Sequence, residues 1–342
     1  MSGKKILVTG GTGYIGSHTV VELFNAGYQP IIIDNFSNSS ARIIDQIEAI
    51  NGIRPEFVNL DLCDARLTSD FVSQHPDISG VIHFAAYKAV GESVEQPLKY
   101  YHNNLFSLIN LLSAFSDKPV NFVFSSSCTV YGEPDQLPVT ERAPVKKAES
   151  PYGNTKQIAE EILSEVAGTS KSLKVTALRY FNPVGAHHSA LIGELPIGVP
   201  QNLVPFITQS AIGKRGPLIV HGNDYNTPDG SCIRDYIHVV DLAKAHVSAL
   251  KFMENSDEGG YEVFNIGTGK GSTVLQVINT FETATGVKLE YKIGKRRPGD
   301  IEKIYGEVSK AKHDLGWNAE LDLGEMMSSA WAWEKYIQQN PL

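Results

Sequence analysis

Tyr152 and Lys156 stand four residues apart in Ser150-Pro151-Tyr152-Gly153-Asn154-Thr155-Lys156. On a helix that spacing puts both side chains on one face. An ammonium beside a phenol favours the phenolate and draws a pKa of ~10 towards neutrality. Such a tyrosine can move a proton to or from a hydroxyl group. A Y-x-x-x-K pair occurs often by chance, and an exposed helical pair is the plain alternative. Upstream, however, the run Asn121–Phe124 leads into Ser125-Ser126-Ser127. A serine at the carboxyl end of a parallel strand lies where open α/β sheets hold ligands. Ser127 is therefore placed to bridge a substrate hydroxyl and Tyr152.

A second set of residues precedes this one. Gly10-Gly11-Thr12-Gly13-Tyr14-Ile15-Gly16 follows the apolar run Lys5–Thr9 and opens a helical pattern. Glycines in that context permit a tight turn and close backbone approach to a pyrophosphate. The helix that follows points its free N–H groups at the phosphates. Asp34 closes the second strand-like run, 18 residues beyond Gly16. A carboxylate there accepts from ribose hydroxyls and repels a 2′-phosphate. Asn35 to Ser40 contain no Arg or Lys to welcome that phosphate, so NAD is favoured over NADP. Without the glycines, Asp34 would read as an ordinary turn residue.

The elements that must carry these residues alternate. Strand signals recur at Lys5–Thr9, Gln29–Ile33, Glu56–Asn59, Gly80–Phe84, Asn121–Phe124 and Lys174–Tyr180. Helical spacing appears between them at Tyr14–Ala26, Ala41–Ile50, Pro97–Phe115 and Tyr152–Ala167. Alternation of that kind predicts α/β architecture, a Rossmann-type doubly wound parallel sheet with helices on both faces. Residues 1–180 form the expected dinucleotide-binding domain. A smaller C-terminal α/β lobe is expected over 181–342, with helices at Leu203–Gly213, Val239–Met253, Ser272–Thr285 and Leu323–Gln338. Signals over 239–266 are those of a segment returning to the first sheet.

Composition narrows the possibilities. The chain has 342 residues, 42% of them hydrophobic, enough for a sizeable core rather than wholesale disorder. No apolar run approaches the ~18–20 residues of a membrane span. Only Ile6-Leu7-Val8 follows the basic start Lys4-Lys5, short of a signal peptide's apolar region, so the expected location is cytoplasmic. Three scattered cysteines make neither a disulfide framework nor a metal knuckle. With 30 Lys and Arg against 38 Asp and Glu, net charge −8, a nucleic-acid partner is not expected. The short basic cluster Lys292, Lys295, Arg296 and Arg297 reads as a local anion clamp. His187-His188 are adjacent and lack an acidic partner, so no metal site is expected. His83 and His238 read as structural, each satisfied locally. Gly267–Thr273 resembles a phosphate loop, but Gly271 follows Lys270 where Ser or Thr is required, and Ser272 reads as a helix cap. Asp224–Gly230 imitates a calcium loop, with Pro228 in a ligand position.

Glycine turn, Asp34, Ser127 and Y-x-x-x-K occur in an order that resembles the extended short-chain dehydrogenase/reductase superfamily and, within it, the UDP-glucose 4-epimerase family. The similarity runs almost end to end: VTGGTGYIGSH from Val8, HFAAYKAVGESV from His83, SSSCTVYG from Ser125, SPYGNTK to Lys156, RYFNPVGAH from Arg179, RDYIHVVDLA from Arg234 and RRPGD to Asp300. Tyr87 stands where the family usually has Leu, and Cys128 where it has Ala.

The resemblance implies a catalytic set of Ser127, Tyr152 and Lys156. It implies contacts to a tightly bound, recycled NAD from Gly10, Gly13, Tyr14, Ile15, Gly16, Asp34, Asn35, Asn38, Asp61, Leu62, Phe84, Ala85, Lys88, Asn103, Tyr152, Lys156 and Tyr180. For a UDP-hexose substrate it points to Ser127, Phe181, Asn182, Asn202, Leu203, Ile219, His221, Arg234, Arg297 and Asp300. Ile304 would border the sugar's 2-substituent. Guanidinium forks suit diphosphate oxygens, although Asp235 and Asp300 lie close enough in sequence to make surface ion pairs of Arg234 and Arg297. The implied activity is an isomerase reaction of galactose metabolism, reversible 4-epimerisation of UDP-glucose and UDP-galactose through a 4-keto sugar. The implied assembly is a homodimer through a four-helix bundle built from Pro97–Phe115 and Tyr152–Ala167 of each subunit. Rival readings are a UDP-N-acetylglucosamine 4-epimerase and a 4,6-dehydratase. The dehydratase wants an Asp-Glu pair where Val130-Tyr131 follow Thr129. A non-catalytic NAD-sensing protein would have little need of the complete Ser-Tyr-Lys set.

Overall fold

The computed structural model describes residues 3–170, 172–256, 259–297 and 300–341. Six strands alternate with six helices in the first half: β1 Lys5–Thr9, α1 Tyr14–Asn25, β2 Gln29–Asp34, α2 Arg42–Asn51, β3 Glu56–Asn59, α3 Ala65–Gln74, β4 Ile78–His83, α4 Val90–Glu95, α5 Pro97–Ala114, β5 Val120–Ser125, α6 Pro151–Thr169 and β6 Leu173–Tyr180. The second half carries β7 Asn182–Val184, α7 Leu203–Ala211, β8 Leu218–His221, β9 Ile233–His238, α8 Val239–Glu254 and β10 Gly260–Ile266. It ends with β11 Gly271–Thr273, α9 Val274–Thr285, β12 Tyr291–Gly294, β13 Lys303–Ile304, α10 Ser309–Asp314 and α11 Leu323–Gln339.

The large sheet has seven strands in the order β10-β6-β5-β4-β1-β2-β3, every pair parallel. Strand order reverses at β1, between β2 and β4, which leaves a crevice at the carboxyl ends there. Alternate residues serve opposite faces. Ile6, Val8, Ile32 and Ile82 pack with Val20, Leu23, Leu242 and Leu250 of α1 and α8. Leu7, Ile31, Val81 and Phe122 pack with Phe71, Leu108 and Leu163 of α3, α5 and α6. Residues 239–266 contribute a helix to one face and an edge strand to the sheet.

The remaining strands form smaller sheets. β9 pairs with β7 and β13 in parallel and with β11 antiparallel, while β12 pairs with β8. Val204, Ile207, Val277, Phe281, Met326 and Met327 fill a separate core beneath them. Thr273, not Ser272, caps α9, in a reciprocal capping box with Gln276. The reason is that Gly271–Thr273 is paired as a strand with β9, which leaves Thr273 at the turn into the helix.

Five histidines are buried and neutral. Burial pushes His18 and His83 down to about 3, and His187, His238 and His246 down to about 4. His83 Nδ1 bonds Thr9 Oγ1 at 2.8 Å. His238 accepts from Val240 N at 3.1 Å through Nδ1 and meets Ser329 Oγ at 3.0 Å through Nε2, so both are satisfied as expected. Below their unfolded pKa of ~6.5 the unfolded chain binds protons that the folded chain refuses, and stability falls with pH. Asp235, Asp241 and Glu22, whose carboxyls burial raises, oppose this in part. The thermal midpoint is expected to drop steeply between pH 6.5 and 4, with a loss of several kcal/mol by pH 5. A midpoint that stays level from pH 7 to 5 in a thermal scan would refute this.

Candidate active site

The cradle begins where β1 turns into α1. Gly10 has φ 70°, and a Cβ there would lie 2.9 Å from Ala85 N on the neighbouring chain segment. A Cβ on Gly16 would sit 2.2 Å from Gly10 O. Both positions therefore require glycine. Gly13 precedes α1 and provides no side-chain cap, leaving the helix's first N–H groups to an outside partner. At the end of β2, Asp34 accepts from Thr12 N at 3.2 Å, Phe36 N at 2.9 Å and Ser39 Oγ at 3.1 Å. These bonds pin the carboxylate at the rim of the same crevice.

The chemical centre lies at the ends of β4 and β5. Ser150 caps α6 through a 3.1 Å bond from Gly153 N, with Pro151 in the first turn, so Tyr152 and Lys156 sit on the first two turns. Ser127 caps the short 3₁₀ turn Cys128–Tyr131, accepting from Thr129 N at 3.2 Å. Burial, then Tyr180, raise the Tyr152 phenol well above 10, and the Ser127 hydroxyl draws it back. Lys156 is not among the leading influences on that phenol. Its Nζ donates to Ser125 O at 2.7 Å and lies 4.7 Å from the Phe124 ring centre. Burial pushes Lys156 down to about 8, against the attraction of Glu160. The expected lowering of the phenol by its helical neighbour is thus corrected: in the protein by itself desolvation wins, and the ammonium is engaged with a backbone carbonyl.

One cleft of about 1150 Å³ gathers these parts. All seventeen residues assigned to the cofactor line it: Gly10, Gly13, Tyr14, Ile15, Gly16, Asp34, Asn35, Asn38, Asp61, Leu62, Phe84, Ala85, Lys88, Asn103, Tyr152, Lys156 and Tyr180. Asn202, Arg234, Arg297 and Asp300 from the substrate set line it too. Ser127 is buried and is not on the lining, although Ser125 and Thr129 on either side of it are. Phe181 and Ile304 are buried in an apolar cluster with Cys128, Val130, Tyr131 and Val139, and Ile301 takes the place on the lining. Asn182, Leu203, Ile219 and His221 lie outside the lining, on β7, α7 and β8.

The arginines are shared by one carboxylate. Asp300 accepts from Arg297 Nε at 2.9 Å and Nη2 at 3.1 Å, and Arg234 Nη2 is 3.6 Å away. Arg234 does not pair with Asp235, which is wholly buried and accepts from Thr268 N, Thr268 Oγ1, Gly269 N and Gly306 N. The loop at Gly267 therefore wraps a carboxylate rather than a phosphate. Arg296 is held by Asp224 and lies 3.9 Å over the Tyr225 ring. That removes it from the anticipated anion clamp, of which only Arg297 lines the cleft. Pro298 and Gly299 of the RRPGD motif lie outside the described residues.

Sequence reasoning missed Glu194. Its carboxylate accepts from Lys88 Nζ at 3.1 Å and Asn202 Nδ2 at 2.7 Å, joining a residue of the cofactor set to one of the substrate set. No motif announces it, because its partners are 106 and 8 residues away. Tyr87 and Thr129 also line the cleft. Thr129 Oγ1 is buried without a partner among the described residues, as a group awaiting a ligand would be.

The glycine turn, the Asp34 rim and the Ser-Tyr-Lys centre on a doubly wound parallel sheet define an extended short-chain dehydrogenase/reductase. A family model described as GDP-mannose 4,6 dehydratase matches residues 7–330. A UDP-glucose 4-epimerase of Yersinia pestis is 47% identical over 330 residues, spanning 96% of this chain and 97% of its own. A crystal structure of UDP-glucose 4-epimerase from Stenotrophomonas maltophila, with bound NAD and formylated UDP-arabinopyranose, superposes with TM-score 0.95 at 45% identity, covering 98% of this chain and 99% of that one. The Bifidobacterium longum enzyme, in complex with NAD+ and UDP, gives 0.92 at 45% identity over 98% and 99% of the two chains. Within its class the chain belongs to the UDP-glucose 4-epimerase family.

The buried ammonium has a thermodynamic signature. Lys156 titrates at about 8 in the fold and at 10.5 when unperturbed. Its charged form therefore penalises the fold below pH 8, and the penalty is relieved as pH rises to 10.5. Lys156→Met, which cannot titrate, is expected to lose ground to the parent by on the order of 3 kcal/mol between pH 7 and 10.5. Denaturant melts at both pH values check this; a stability difference independent of pH would refute it.

Proposed function

We propose that this chain interconverts UDP-glucose and UDP-galactose by NAD-dependent 4-epimerisation through a 4-keto sugar. The observation that carries the reading is the single cleft that holds the complete glycine cradle, Tyr152 and Lys156, and the Arg234–Asp300–Arg297 cluster together. A dinucleotide fits the cradle: side chains at Gly10 and Gly16 would collide with backbone, and the first N–H groups of α1 are uncapped. When bound, NAD supplies the acceptor and donor of the C4 hydride. Asp34 would hold the adenosine ribose, and the α1 N-terminus the pyrophosphate.

Ser127 and Tyr152 would handle the sugar's C4 hydroxyl, with Tyr152 removing its proton as general base and later returning it. Lys156 fixes the Ser125 carbonyl and keeps positive charge in the wall. Arg234 and Arg297 would clamp the diphosphate. Fixed anchors for the nucleotide and few for the hexose allow the keto sugar to present either face. A dehydratase reading loses its acid and base here. Val130 and Tyr131 are fully buried, and the Tyr131 hydroxyl donates to Asn265 Oδ1 at 2.7 Å. The cofactor lobe is assigned to residues 1–180 with 239–266, and the substrate lobe to the rest of 181–342. The proposed location is the cytoplasm; no described helix is long and apolar enough to cross a membrane.

The proposed assembly is a homodimer through α5 and α6. Leu98, Phe106 and Ile109 form an exposed apolar stripe on α5, which packs against α6 of its own subunit. A second copy would cover it in a four-helix bundle. Light scattering at micromolar concentration that returns a monomer mass would refute this.

Tyr152→Phe keeps the ring and removes the proton-transfer group. With UDP-galactose, turnover is expected to fall by ~10²–10⁴ with little change in UDP-sugar affinity. Full activity in that variant would overturn the mechanism. In the same assay UDP-N-acetylglucosamine is expected to turn over weakly if at all, since Ile301 on the cleft lining is backed by the buried cluster that holds Ile304, a side chain stiff at χ1, and has little room to yield. Equal efficiency on both sugars would overturn the size argument.

A further inference from the structure

Tyr152, Lys156 and Glu160 recur every four residues on α6 and share one face. Lys156 and Glu160 bond two of the three successive serines at the end of β5, and the third influences Tyr152. The Ser127 hydroxyl acts on the Tyr152 phenol. Lys156 Nζ donates to Ser125 O at 2.7 Å. Ser126 Oγ donates to Glu160 Oε1 in a very short bond. Glu160 is itself buried, and Arg179 of β6 grips it with Nε at 3.0 and 3.1 Å and Nη2 at 2.6 Å. An ion pair kept only to stabilise a core has no need of a serine from the catalytic turn, and apolar replacements often serve as well.

We propose that Glu160 is a positioning residue for the reaction, locking the register between the serine turn and α6 so that Ser127 faces Tyr152, while holding a negative charge one turn from Lys156. This rests on the reading of Ser127, Tyr152 and Lys156 as the catalytic set. The serine turn is held at Ser125 by Lys156 and at Ser126 by Glu160, two points one turn apart on a single helix. Loss of the Ser126 point lets the turn slide relative to the phenol. Loss of the Glu160 charge removes the one neighbour that raises Lys156 against its burial.

The test uses the holoenzyme with UDP-galactose, and four variants: Glu160→Gln, Glu160→Asp, Ser126→Ala and, as a charge control on the exposed neighbour, Glu161→Gln. Glu160→Gln is expected to lower kcat about tenfold or more at unchanged KM. The alkaline limb of its kcat–pH profile is expected to move to lower pH, because Lys156 then loses its proton more easily. Glu160→Asp keeps the charge and should return the limb to its parental position. Ser126→Ala should lower kcat severalfold without moving the limb, and Glu161→Gln should match the parent. A parental kcat and pH profile in Glu160→Gln would overturn the proposal, as would an effect confined to KM. If Glu160→Gln fails to fold, Ser126→Ala decides. A loss of kcat at unchanged KM and unchanged melting point supports the lock, and a parental kcat overturns it. Full activity in Tyr152→Phe refutes the catalytic set itself. An inactive Tyr152→Phe beside an unaffected Glu160→Gln refutes only the positioning role.

Discussion

An ammonium group buried in the wall of a cleft is the constraint around which this fold is arranged. Lys156 is 5% exposed, and an unpaired charge at that depth would cost several kcal/mol. Its direct partner is a neutral carbonyl, Ser125 O, so compensation has to come from further away. Glu160 supplies the opposite charge one helical turn on, and Arg179 balances Glu160 in turn. The Arg179 guanidinium lies 4.9 Å from the Tyr131 ring centre, and Tyr131 donates to Asn265 on β10. Asn265 N and Arg179 Nη1 both bond Glu141, one to the side chain and one to the carbonyl. Lys156 is thereby tied, by alternating charge as far as Arg179 and by neutral contacts beyond it, to the edge strand that returns late in the chain. Partial satisfaction of such a network would be worse than an apolar core, which explains why so many of its members are buried together.

A second set of ties closes the cleft from the other side. Tyr14, on the first turn of α1, donates to Gly185 O at 2.6 Å, so the helix that opens from the glycine turn is also anchored to the second half of the chain. Glu194 and Asp300 each gather two basic or amide groups from different segments. Both carboxylates sit where anionic ligands would arrive, so in the protein by itself they hold Lys88, Arg234 and Arg297 in place. A diphosphate bound as proposed would compete for those donors, and guanidinium groups with five N–H donors can serve both partners.

What the sequence made legible was local. The glycine turn, Asp34 and the Y-x-x-x-K pair are each specified within a single strand–turn–helix unit, where steric demand and helical spacing leave little freedom. The central strands β1, β2, β4 and β5 are equally plain, because burial makes them largely continuous apolar runs. Glu194, the Glu160–Arg179 pair and the Asp235 loop were not legible, since each joins residues that only the tertiary fold brings together. α3 was hidden by its charges: Asp64 caps it through Leu67 N, but Arg66 and Asp70 obscure the apolar face of Phe71 and Val72. Strands as short as β11 and β13 carry no periodicity at all. Ser272 was mistaken for a cap because nothing local shows that Gly271–Thr273 is paired.

Burial pushes Tyr152 and Lys156 in opposite directions on the pH scale but towards the same condition, the neutral form of each. For the phenol this is an obstacle, since proton removal from a sugar hydroxyl needs a phenolate. Lys156 cannot remove the obstacle by itself, being committed to Ser125 and drawn towards Glu160. Ser127 lowers the cost through its hydroxyl but brings no charge. The remaining remedy is a cation that enters the cleft with the ligands, where low polarity magnifies its attraction for a phenolate. Oxidised nicotinamide carries such a charge and its reduced form does not. Tyr152 would then be deprotonated more easily while a hydride acceptor is bound, and would take its proton back more readily once that positive charge is gone. Loss of the proton from the C4 hydroxyl would then be linked to loss of the hydride from C4, and the two returns likewise, which is the coupling that a reversible inversion at one carbon demands.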